Sequence, residues 1–388
     1  MHVVMLLSNP FRPDPRVLKE ANSLTAMGYQ VSIICWDRAS EMKPEETLET
    51  GVHISRIQNV RSSYGLGIRQ LLRLALFWLV TLPILNRLQP DLIHCHDFDT
   101  LPLGLLWGKL RRRAVIYDAH EYYTELCKPR LFGVGGKLVY WLISVAELIG
   151  ARIASAVVTV DKGLGSIYRH SNRNVVIIGH YPNRVLATKA TPIFGHSELV
   201  LIYIGRLSVD RGLLIYVDLL RNLREQGIPA RLKLAGTFTP PNEEQRLIER
   251  CQGLENALDI LGWIHYSQVP ALLRTADVGL AILQPEPRYV KALPVKLFEY
   301  MAAGLPVVAS NFPSIADIMN DIRCGTLVEP QDVQAAVEQI RYWWEHPDEV
   351  RKTGERGRQA VLEKFNWEIS VGQLGSLYGS LAKNHRSP

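Results

Sequence analysis

The sequence predicts an α/β protein with two doubly wound parallel sheets, one in each half of the chain. Short apolar runs alternate with helix-length segments through the first half, and after a break the same alternation starts again near Leu199. This alternation is typical of parallel strands joined by crossover helices. A chain of 388 residues, 47% hydrophobic and 21% charged, is long enough for two domains with cores. We expect the two domains to face each other across a cleft and to bind ligands outside the strand ends.

The predicted strands follow one another in chain order. In the first domain they are HVVMLL, QVSIIC, DLIHCH, AVIYDAH and AVVTV. In the second domain they are LVLIYIG, RLKLAG, ALDILG, VGLAIL, PVVAS and GTLVE. Residues 181–198 are rich in proline and polar residues, as expected of a linker. We place the N-terminal domain at 1–182 and the C-terminal domain at 196–367, and we expect residues 368–388 to form a helix that packs back on the first domain.

The stretch KALPVKLFEYMAAGLPVVAS predicts a helix followed by a buried strand, with one acid inside the helix. Pro294 suits a helix start and Gly304 tolerates a left-handed helix end, so the helix is predicted over 295–303. Unpaired backbone N–H groups at such a start favour a phosphate. Glu299 lies beyond the first turn, so its oxygens could accept hydrogen bonds from the two hydroxyls of a ribose. Pairing with Lys296 at i−3 is the alternative.

Two arginines follow the first strand of the second domain, in YIGRLSVDRG. Gly205 lets the backbone bend there. Arg206 and Arg211 would then emerge at the carboxyl end of the strand, where guanidinium groups can bind a phosphate. A surface ion pair with Asp210 is the alternative.

Polar side chains also lie at strand ends of the first domain. AVIYDAHE places His120 at a strand end, and histidine can donate a proton near neutral pH or hydrogen-bond a sugar hydroxyl. A structural role is the alternative for this histidine. After the first strand, Asp14 can cap the next helix and Arg16 lies in its first turn. We assign Asp14, Arg16 and His96 to the acceptor side of the cleft.

The segment IHCHDFD suggests a metal site, because His94 and His96 would share one face of a strand and Asp99 could join them. No fourth partner at ligand spacing is evident, and a polar strand end explains these residues, so we expect no metal. The glycine clusters at 133–137 and 161–165 lack the spacing and position of a phosphate loop. Dinucleotide binding is therefore not expected.

The positive charge of the chain lies in its first half. Residues 1–180 contain 21 basic and 15 acidic residues, whereas the remainder contains 23 of each. An acidic substrate or an anionic membrane surface would suit this half, although solvated basic faces are common. Nucleic acid is not an expected partner, because the basic residues are not interleaved with aromatic ones in one stripe.

Two apolar segments of the first domain have basic residues beside them. One is LLRLALFWLVTLPIL, with Arg69 and Arg73 at its start, and the other surrounds Lys137; a basic cluster, KLRRR, lies at 109–113. The apolar run at 74–85 is too short to cross a bilayer but could lie on one. Core helices are the alternative.

Cysteine usage favours a reducing compartment. The five cysteines are scattered without a CxxC pair, and the odd number leaves at least one unpaired. We expect a cytoplasmic protein that is peripheral on the cytoplasmic face of the plasma membrane if the apolar segments contact lipid.

Several motifs together resemble the retaining glycosyltransferases with two Rossmann-like domains (the GT-B type), family four. They are DPRVLKEANSLTAMGYQVSII, PDLIHCHD, YIGRLSVDRG, LKLAG, LGWIHYSQVPALLRTADVGLAIL, LPVKLFEYMAAGLPVVAS and FNW, and they span nearly the whole chain. The resemblance implies a nucleotide-diphosphate sugar donor, with a UDP-sugar favoured and a GDP-sugar as the alternative. It also implies a glycan or lipid-linked acceptor and no obligatory metal. The reaction would move a hexosyl or N-acetylhexosaminyl group in polysaccharide or glycoconjugate synthesis.

The resemblance also implies roles for individual residues. Glu299 matches the residue that binds the donor ribose, Arg206 and Arg211 match the basic pair on the diphosphate, and His120 matches a histidine near the donor sugar. The backbone at Gly262, Trp263 and Ile264 would meet the base. The remaining donor contacts are expected from Gly205, Lys291, Leu293, Pro294, Val295 and Lys296.

One position departs from the family pattern. The family often carries a glutamate eight residues before the ribose-binding one, and this chain has Lys291 there. This lysine could meet a donor phosphate or an acidic sugar group, or it could be solvated. The alternatives to a transferase are a nucleotide-sugar-binding subunit without catalysis and a sugar-nucleotide epimerase on the same fold.

Overall fold

The computed structural model describes residues 1–12, 14–62, 68–127, 133–188 and 197–384. The chain forms two compact units that divide between His180 and Tyr181. The last helix, from Ser370 onward, belongs to the first unit. Part of the proline-rich segment predicted as a linker lies outside the described residues.

The first unit contains an eight-stranded sheet in the order β3-β4-β2-β1-β5-β6-β7-β8. All neighbours are parallel except β3 and β4, which are antiparallel. Every residue of β5, β6 and β7 is buried, as expected for strands covered on both faces. The strands are β1 (His2–Leu7), β2 (Gln30–Trp36), β3 (Glu45–Thr47), β4 (His53–Ile57), β5 (Leu92–His96), β6 (Ala114–Ala119), β7 (Ala156–Thr159) and β8 (Val175–Ile177).

Helices connect these strands and cover both faces of the sheet. They are α1 (Pro15–Ala26), α2 (Ile68–Leu88), α3 (Leu101–Leu110), α4 (Tyr123–Cys127), α5 (Gly133–Ile153) and α6 (Lys162–Arg169). The crossovers through α2, α3 and α5 run in the same direction along the sheet, so right-handed connections place these helices on one face. Helix α3 contacts both α2 and α5. Helix α1 connects β1 to β2 in the opposite direction and therefore lies on the other face.

The second unit contains a six-stranded parallel sheet in the order β11-β10-β9-β12-β13-β14. Its strands are β9 (Leu199–Ile204), β10 (Ala230–Ala235), β11 (Leu258–Gly262), β12 (Val278–Ala281), β13 (Val307–Ser310) and β14 (Gly325–Val328). Its helices are α7 (Leu213–Glu225), α8 (Glu243–Arg250), α9 (Val269–Leu273), α10 (Pro287–Val290), α11 (Val295–Ala303), α12 (Pro313–Ile322), α13 (Val333–Glu345) and α14 (Pro347–Glu363).

The final helix, α15 (Trp367–Asn384), starts in the second unit and continues in the first. Its buried residues include Leu374 and Tyr378. The Tyr378 ring makes an edge contact with Tyr29 at a centroid distance of 5.5 Å. The end of this helix therefore adds to the core of the first unit.

The predicted fold class is confirmed, with one correction to a helix length. Every strand predicted from the sequence is present, and the short or polar strands β3, β4 and β8 are additional. Helix α11 spans the predicted Val295–Ala303, and Gly304 ends it in the left-handed conformation. The apolar run at 74–85 is only part of α2, which has 21 residues. Among the described residues, this helix alone has the length and apolar composition of a membrane span.

Each sheet has a point where the order of strands reverses. In the second unit β9 is flanked by β10 and β12, and in the first unit β1 is flanked by β2 and β5. Ligands of open parallel sheets bind outside the strand ends at such points. The loops after β9 and β12, and after β1 and β5, are therefore where each unit is expected to hold a ligand.

Candidate functional site

The loop that follows β9 carries the two predicted arginines. Gly205 and Gly212 both have positive φ, at 137° and 86°. A Cβ atom on Gly212 would lie 2.1 Å from the carbonyl oxygen of Ile282, just beyond β12. Only glycine lets this loop turn so close to the neighbouring strand.

Arg206 is held by two partners in the loop region. Its Nη2 donates to Asp210 Oδ2 at 2.9 Å and to the Tyr289 hydroxyl at 2.8 Å. Arg288 also forms an ion pair with Asp210. The alternative considered for Arg206, an ion pair with Asp210, is thus present. Its Nε is buried and donates to no group in the described part of the chain.

Arg211 contacts the same tyrosine. Its Nε donates to the Tyr289 hydroxyl at 3.2 Å, and its guanidinium lies 5.4 Å from the centroid of that ring. Tyr289 comes from the short helix α10 after β12, and the sequence pattern contains no signal for its role. This tyrosine links the two arginines across the reversal point.

Lys296 brings a third cation to this place from α11. Its side chain is 8% exposed, and Nζ lies 3.6 Å from the centroid of the Tyr203 ring. A Cβ atom on Gly205 would be 3.3 Å from this Nζ. No described residue accepts a hydrogen bond from Nζ. The amine therefore reaches the end of β9 with its donors unused by the described residues.

The charges around Lys296 favour an anion. Burial, Arg211 and Arg206 lower the pKa of Lys296 well below its usual value, whereas Glu299 raises it. The alternative pairing of Lys296 with Glu299 thus contributes electrostatically, but the two arginines oppose the charged amine. A ligand with several negative charges would relieve this repulsion. The convergence of Arg206, Arg211 and Lys296 has the properties of a phosphate site.

Glu299 lines a pocket in the second unit. The pocket also includes Leu186, Tyr266, Val269, Pro270, Leu273, Arg274 and Ala303. Burial and the Glu299 charge raise the pKa of Tyr266, so the two side chains interact electrostatically. An acid at the edge of a largely apolar pocket beside cations is suited to a nucleoside attached to phosphate.

The other donor-side residues are placed as follows. Gly262 has a φ of 66° and accepts a hydrogen bond from the Gly236 N–H at 2.7 Å. Trp263 is 70% exposed, and Ile264 packs on the core cluster that includes α11. Lys291 is exposed and ends α10. Pro294 precedes α11, Val295 begins it, and Leu293 packs on its core cluster.

In the first unit, Asp14 and Arg16 form one local structure. Asp14 caps α1 by accepting from the Arg16 N–H at 3.1 Å. The Arg16 guanidinium donates to both oxygens of the same carboxylate, at 3.0 and 2.9 Å. Burial would raise the pKa of Asp14, but the hydrogen bonds and the charge of Arg16 together have the larger effect and lower this pKa to about 2. Asp14 is therefore ionised at neutral pH.

Four imidazole rings form a column at the ends of β5 and β6. Their neighbouring centroids lie 4.4 Å apart for His94 and His96, 5.4 Å for His96 and His120, and 5.3 Å for His120 and His180. His120 is 7% exposed, and burial lowers its pKa well below the usual value although the charge of Asp118 raises it. A neutral ring of this kind can orient a hydroxyl group. The sequence pattern does not predict that His180 joins the column.

Comparison with solved structures identifies the class of fold. The chain resembles sucrose-phosphate synthase from Thermosynechococcus elongatus, with a TM-score of 0.79 and 20% identity over 99% of this chain and 100% of that one. It also resembles Anabaena HepE in complex with UDP, with a TM-score of 0.73 and 17% identity over 98% of this chain and 100% of that one. The protein therefore has the GT-B fold.

Sequence comparison then defines the family. Residues 16–179 match the profile described as Glycosyltransferase Family 4, and residues 187–360 match the one described as Glycosyl transferases group 1. The chain belongs to the family 4 glycosyltransferases.

Two curated relatives illustrate the range of this family. The chain is 28% identical over 212 residues to an Escherichia coli protein named as a colanic acid biosynthesis glycosyltransferase, WcaL, covering 54% of this chain and 50% of that protein. The alignment therefore spans half the length of that relative. The chain is 26% identical over 318 residues to a GDP-mannose-dependent phosphatidylinositol dimannoside mannosyltransferase of Mycobacterium tuberculosis, covering 78% of this chain and 77% of that protein.

Proposed function

We propose that this protein transfers a sugar from a nucleotide-diphosphate sugar to a hydroxyl group of a glycan or lipid-linked acceptor, with retention of the anomeric configuration. The observation that carries the proposal is the convergence of Arg206, Arg211 and Lys296 at the end of β9. The amine of Lys296 is buried there without a hydrogen-bond acceptor among the described residues. A diphosphate supplies acceptor oxygens and charge of the matching sign.

In this proposal, every part of the donor binds to the second unit. The diphosphate would lie between the arginines and the start of α11, whose backbone N–H groups favour an anion. The ribose hydroxyls would donate to Glu299, and the base would extend toward Gly262, Trp263 and Ile264. A largely apolar pocket next to Glu299 supports a nucleoside at this place.

The proposed chemistry stabilises the leaving group. When the bond between the sugar and the nucleotide diphosphate breaks, negative charge develops on the leaving oxygen. Each preorganised donor directed at such a charge contributes about 3–4 kcal/mol to the transition state. Arg206, Arg211 and Lys296 are the donors, and the acceptor proton would pass to the leaving phosphate. No protein nucleophile and no metal is required by this mechanism.

The first unit would position the acceptor. Asp14 is an anion that can accept from a sugar hydroxyl, and Arg16 beside it is a permanent cation. His120 and His96 are buried rings whose nitrogens can orient hydroxyl groups. We propose that these residues face the acceptor and the donor sugar.

A UDP-sugar is the favoured donor, and a GDP-sugar is the alternative. Structures of the similar Anabaena protein HepE contain UDP, or UDP-glucose. The named donor of the mycobacterial relative is GDP-mannose. The exposed Lys291 replaces an acid of the usual pattern and would contact a donor phosphate or an acidic sugar.

The acceptor proposal includes a membrane surface. Relatives named for polysaccharide and phosphatidylinositol mannoside synthesis support a glycan or lipid-linked acceptor. Exposed apolar side chains lie on α2, α3 and α5, on one face of the first unit. We propose that this face rests on an anionic membrane from the cytoplasmic side, because cysteines scattered without a CxxC pair favour a reducing compartment.

Replacement of Arg206 tests the function. The purified protein is incubated with a panel of UDP-sugars and GDP-sugars, and release of the free nucleotide is followed with and without lipid or glycan acceptors. We expect turnover with the preferred donor, and a loss of about a hundredfold or more in Arg206→Ala with the fold intact. Arg246→Ala on α8 is the matched control, because Arg246 is half-exposed and pairs with Glu243.

Three outcomes would contradict the proposal. Near-normal turnover by Arg206→Ala would remove the role of the arginine. Tight nucleotide-sugar binding without release of nucleotide under any condition would indicate a binding subunit. Conversion of the donor into an epimeric nucleotide sugar would indicate an epimerase.

A further inference from the structure

Four ligand-type side chains form a buried cluster within the first unit. Glu20 comes from α1, His94 and His96 from β5, and Asp118 from β6. Glu20, His94 and Asp118 are 0% exposed, and His96 is 3% exposed. Each side chain offers one ligand atom, and the four atoms lie within 4.8 Å of one another. Three separate elements thus bring two carboxylates and two imidazoles to one point in the interior.

The burial of Glu20 is not explained by hydrogen bonds. Neither of its carboxylate oxygens accepts a hydrogen bond from any residue that the structure describes. The imidazole nitrogen beside it, His94 Nε2, is 3.9 Å from Glu20 Oε2, which is beyond hydrogen-bond distance. Buried carboxylates are otherwise paired or bound to a metal, because isolation inside a protein is costly.

The separations within the cluster suit one small cation. Asp118 Oδ2 lies 3.2 Å from His94 Nε2 and 3.2 Å from His96 Nδ1. Tetrahedral ligands at about 2.0–2.1 Å from a zinc ion are about 3.3–3.4 Å apart. The 3.9 Å between Glu20 Oε2 and His94 Nε2 is longer by about 0.5 Å, so these two atoms would approach each other when the ion binds. No two of the four ligand atoms are more than 4.8 Å apart. Each atom would therefore move by less than about 1 Å to reach a shared ion.

A further residue orients one of these ligands. His94 Nδ1 is hydrogen-bonded to the Tyr378 hydroxyl at 2.7 Å. With Nδ1 protonated, this bond leaves Nε2 unprotonated and directed at the cluster. Histidines that bind metals generally have such a partner on the other ring nitrogen. Tyr378 belongs to the part of α15 that packs in the first unit.

We propose that Glu20, His94, His96 and Asp118 bind one divalent first-row transition-metal ion, with zinc the best match. Two carboxylates and two neutral imidazoles together neutralise a dication, and mixed nitrogen and oxygen ligands select such metals over magnesium or calcium. Protein side chains fill all four coordination positions of the ion, which is typical of a structural metal site and not of a catalytic one. It connects α1 to β5 and β6.

The metal content of the full chain tests this proposal. The protein is produced in zinc-supplemented medium and purified without chelators or metal-affinity steps, and its metals are measured by mass spectrometry. We expect about one zinc ion per chain and a lower thermal midpoint after treatment with a chelator. Glu20→Gln and His94→Gln should lose the ion and the response to chelator.

Matched controls separate this site from adventitious binding. Glu243→Gln removes another buried acid, in the second unit, and His53→Gln removes a histidine outside the cluster; both should keep the ion. Tyr378→Phe retains all four ligands, so it should fold and bind zinc about 10–100-fold more weakly. A metal-free wild-type protein that zinc does not stabilise would overturn the proposal. Unchanged zinc content in Glu20→Gln and His94→Gln, or unchanged zinc affinity in Tyr378→Phe, would overturn it as well.

Discussion

At the scale of single residues, the proton on Lys296 should be coupled to donor binding. Burial and the two neighbouring arginines lower the pKa of this amine in the free protein. A bound diphosphate favours the charged amine and raises its pKa again. At a pH between the pKa of Lys296 in the free protein and its higher pKa in the complex, donor binding must therefore take up a proton on this amine. In this range the affinity for the donor must fall as pH rises.

Calorimetry of UDP binding in two buffers with different ionisation enthalpies measures this proton uptake. At alkaline pH, where the diphosphate itself is fully ionised, we expect uptake by the wild type and none by Lys296→Met. The variant should also bind UDP roughly tenfold or more weakly, because a charge-assisted hydrogen bond is lost. Lys352→Met is the control, since Lys352 is an exposed partner of Glu349 on α14. Equal proton uptake by the wild type and Lys296→Met would refute the coupling.

The residues that the sequence pattern could predict are those whose role depends on their own element. Asp14 caps α1 and Gly304 ends α11 as their neighbours in the chain predict. Tyr289 and His180 could not be assigned in this way, because their partners are distant in sequence. The metal interpretation of the segment 93–99, which considered His94, His96 and Asp99, lacked a fourth ligand for the same reason. Folding supplies Glu20 and Asp118 from other elements.

At the scale of elements, the close contact between α14 and α11 positions Glu299. A Cβ atom on Gly354 would lie 1.8 Å from the carbonyl oxygen of Gly304, at the end of α11. This oxygen belongs to the backbone, so a larger residue must push the two helices apart. We expect Gly354→Ala to destabilise the second unit by roughly 1–3 kcal/mol and to weaken UDP binding through the shift of α11.

Gly372→Ala provides a matched comparison for this prediction. Gly372 is also a helical glycine, but nothing lies within 4 Å of the Cβ position. Alanine there should be neutral or stabilising by about 0.5–1 kcal/mol, because it restricts the unfolded chain. The urea midpoints of both variants, followed with UDP affinity, check the difference. Similar midpoints for the two variants would show that the helices can separate at no cost.

Hydrophobic periodicity predicted which helices and strands are present better than it predicted where they begin and end. The buried strands were predictable because both of their faces are covered and their sequences are continuously apolar. Helix α2 was underestimated, since its first six residues, 68–73, include two arginines that interrupt the apolar run. Strands β3 and β8 have only three residues each, too few for a periodic signal. Their positions depend on pairing with strands that were already predicted.

At the scale of the whole molecule, charge and exposed apolar surface coincide in the first unit. The excess of basic residues lies entirely in 1–180, as counted from the sequence. Helix α2 has a buried stripe at Phe77, Thr81 and Leu85, whereas several of its other leucines, including Leu72 and Leu79, are exposed. Helix α5 adds an exposed Trp141, which is 58% accessible. This buried stripe packs against the rest of the first unit, and the exposed side of α2 can lie in a membrane interface.

Liposome flotation tests this membrane surface. Wild-type protein should float with vesicles that contain anionic lipid and stay behind with neutral vesicles, because Arg69 and Arg73 each contribute about 1 kcal/mol near an anionic surface. The double substitution of Leu72 and Leu79 by glutamate should abolish flotation without unfolding, since these side chains are 65% and 61% exposed. Ile248→Glu on α8 places the same charge on an exposed apolar position of the second unit and should leave flotation unchanged. If wild-type protein ignored lipid charge, or the double variant floated as well as wild type, the exposed leucines would have to serve some contact other than lipid.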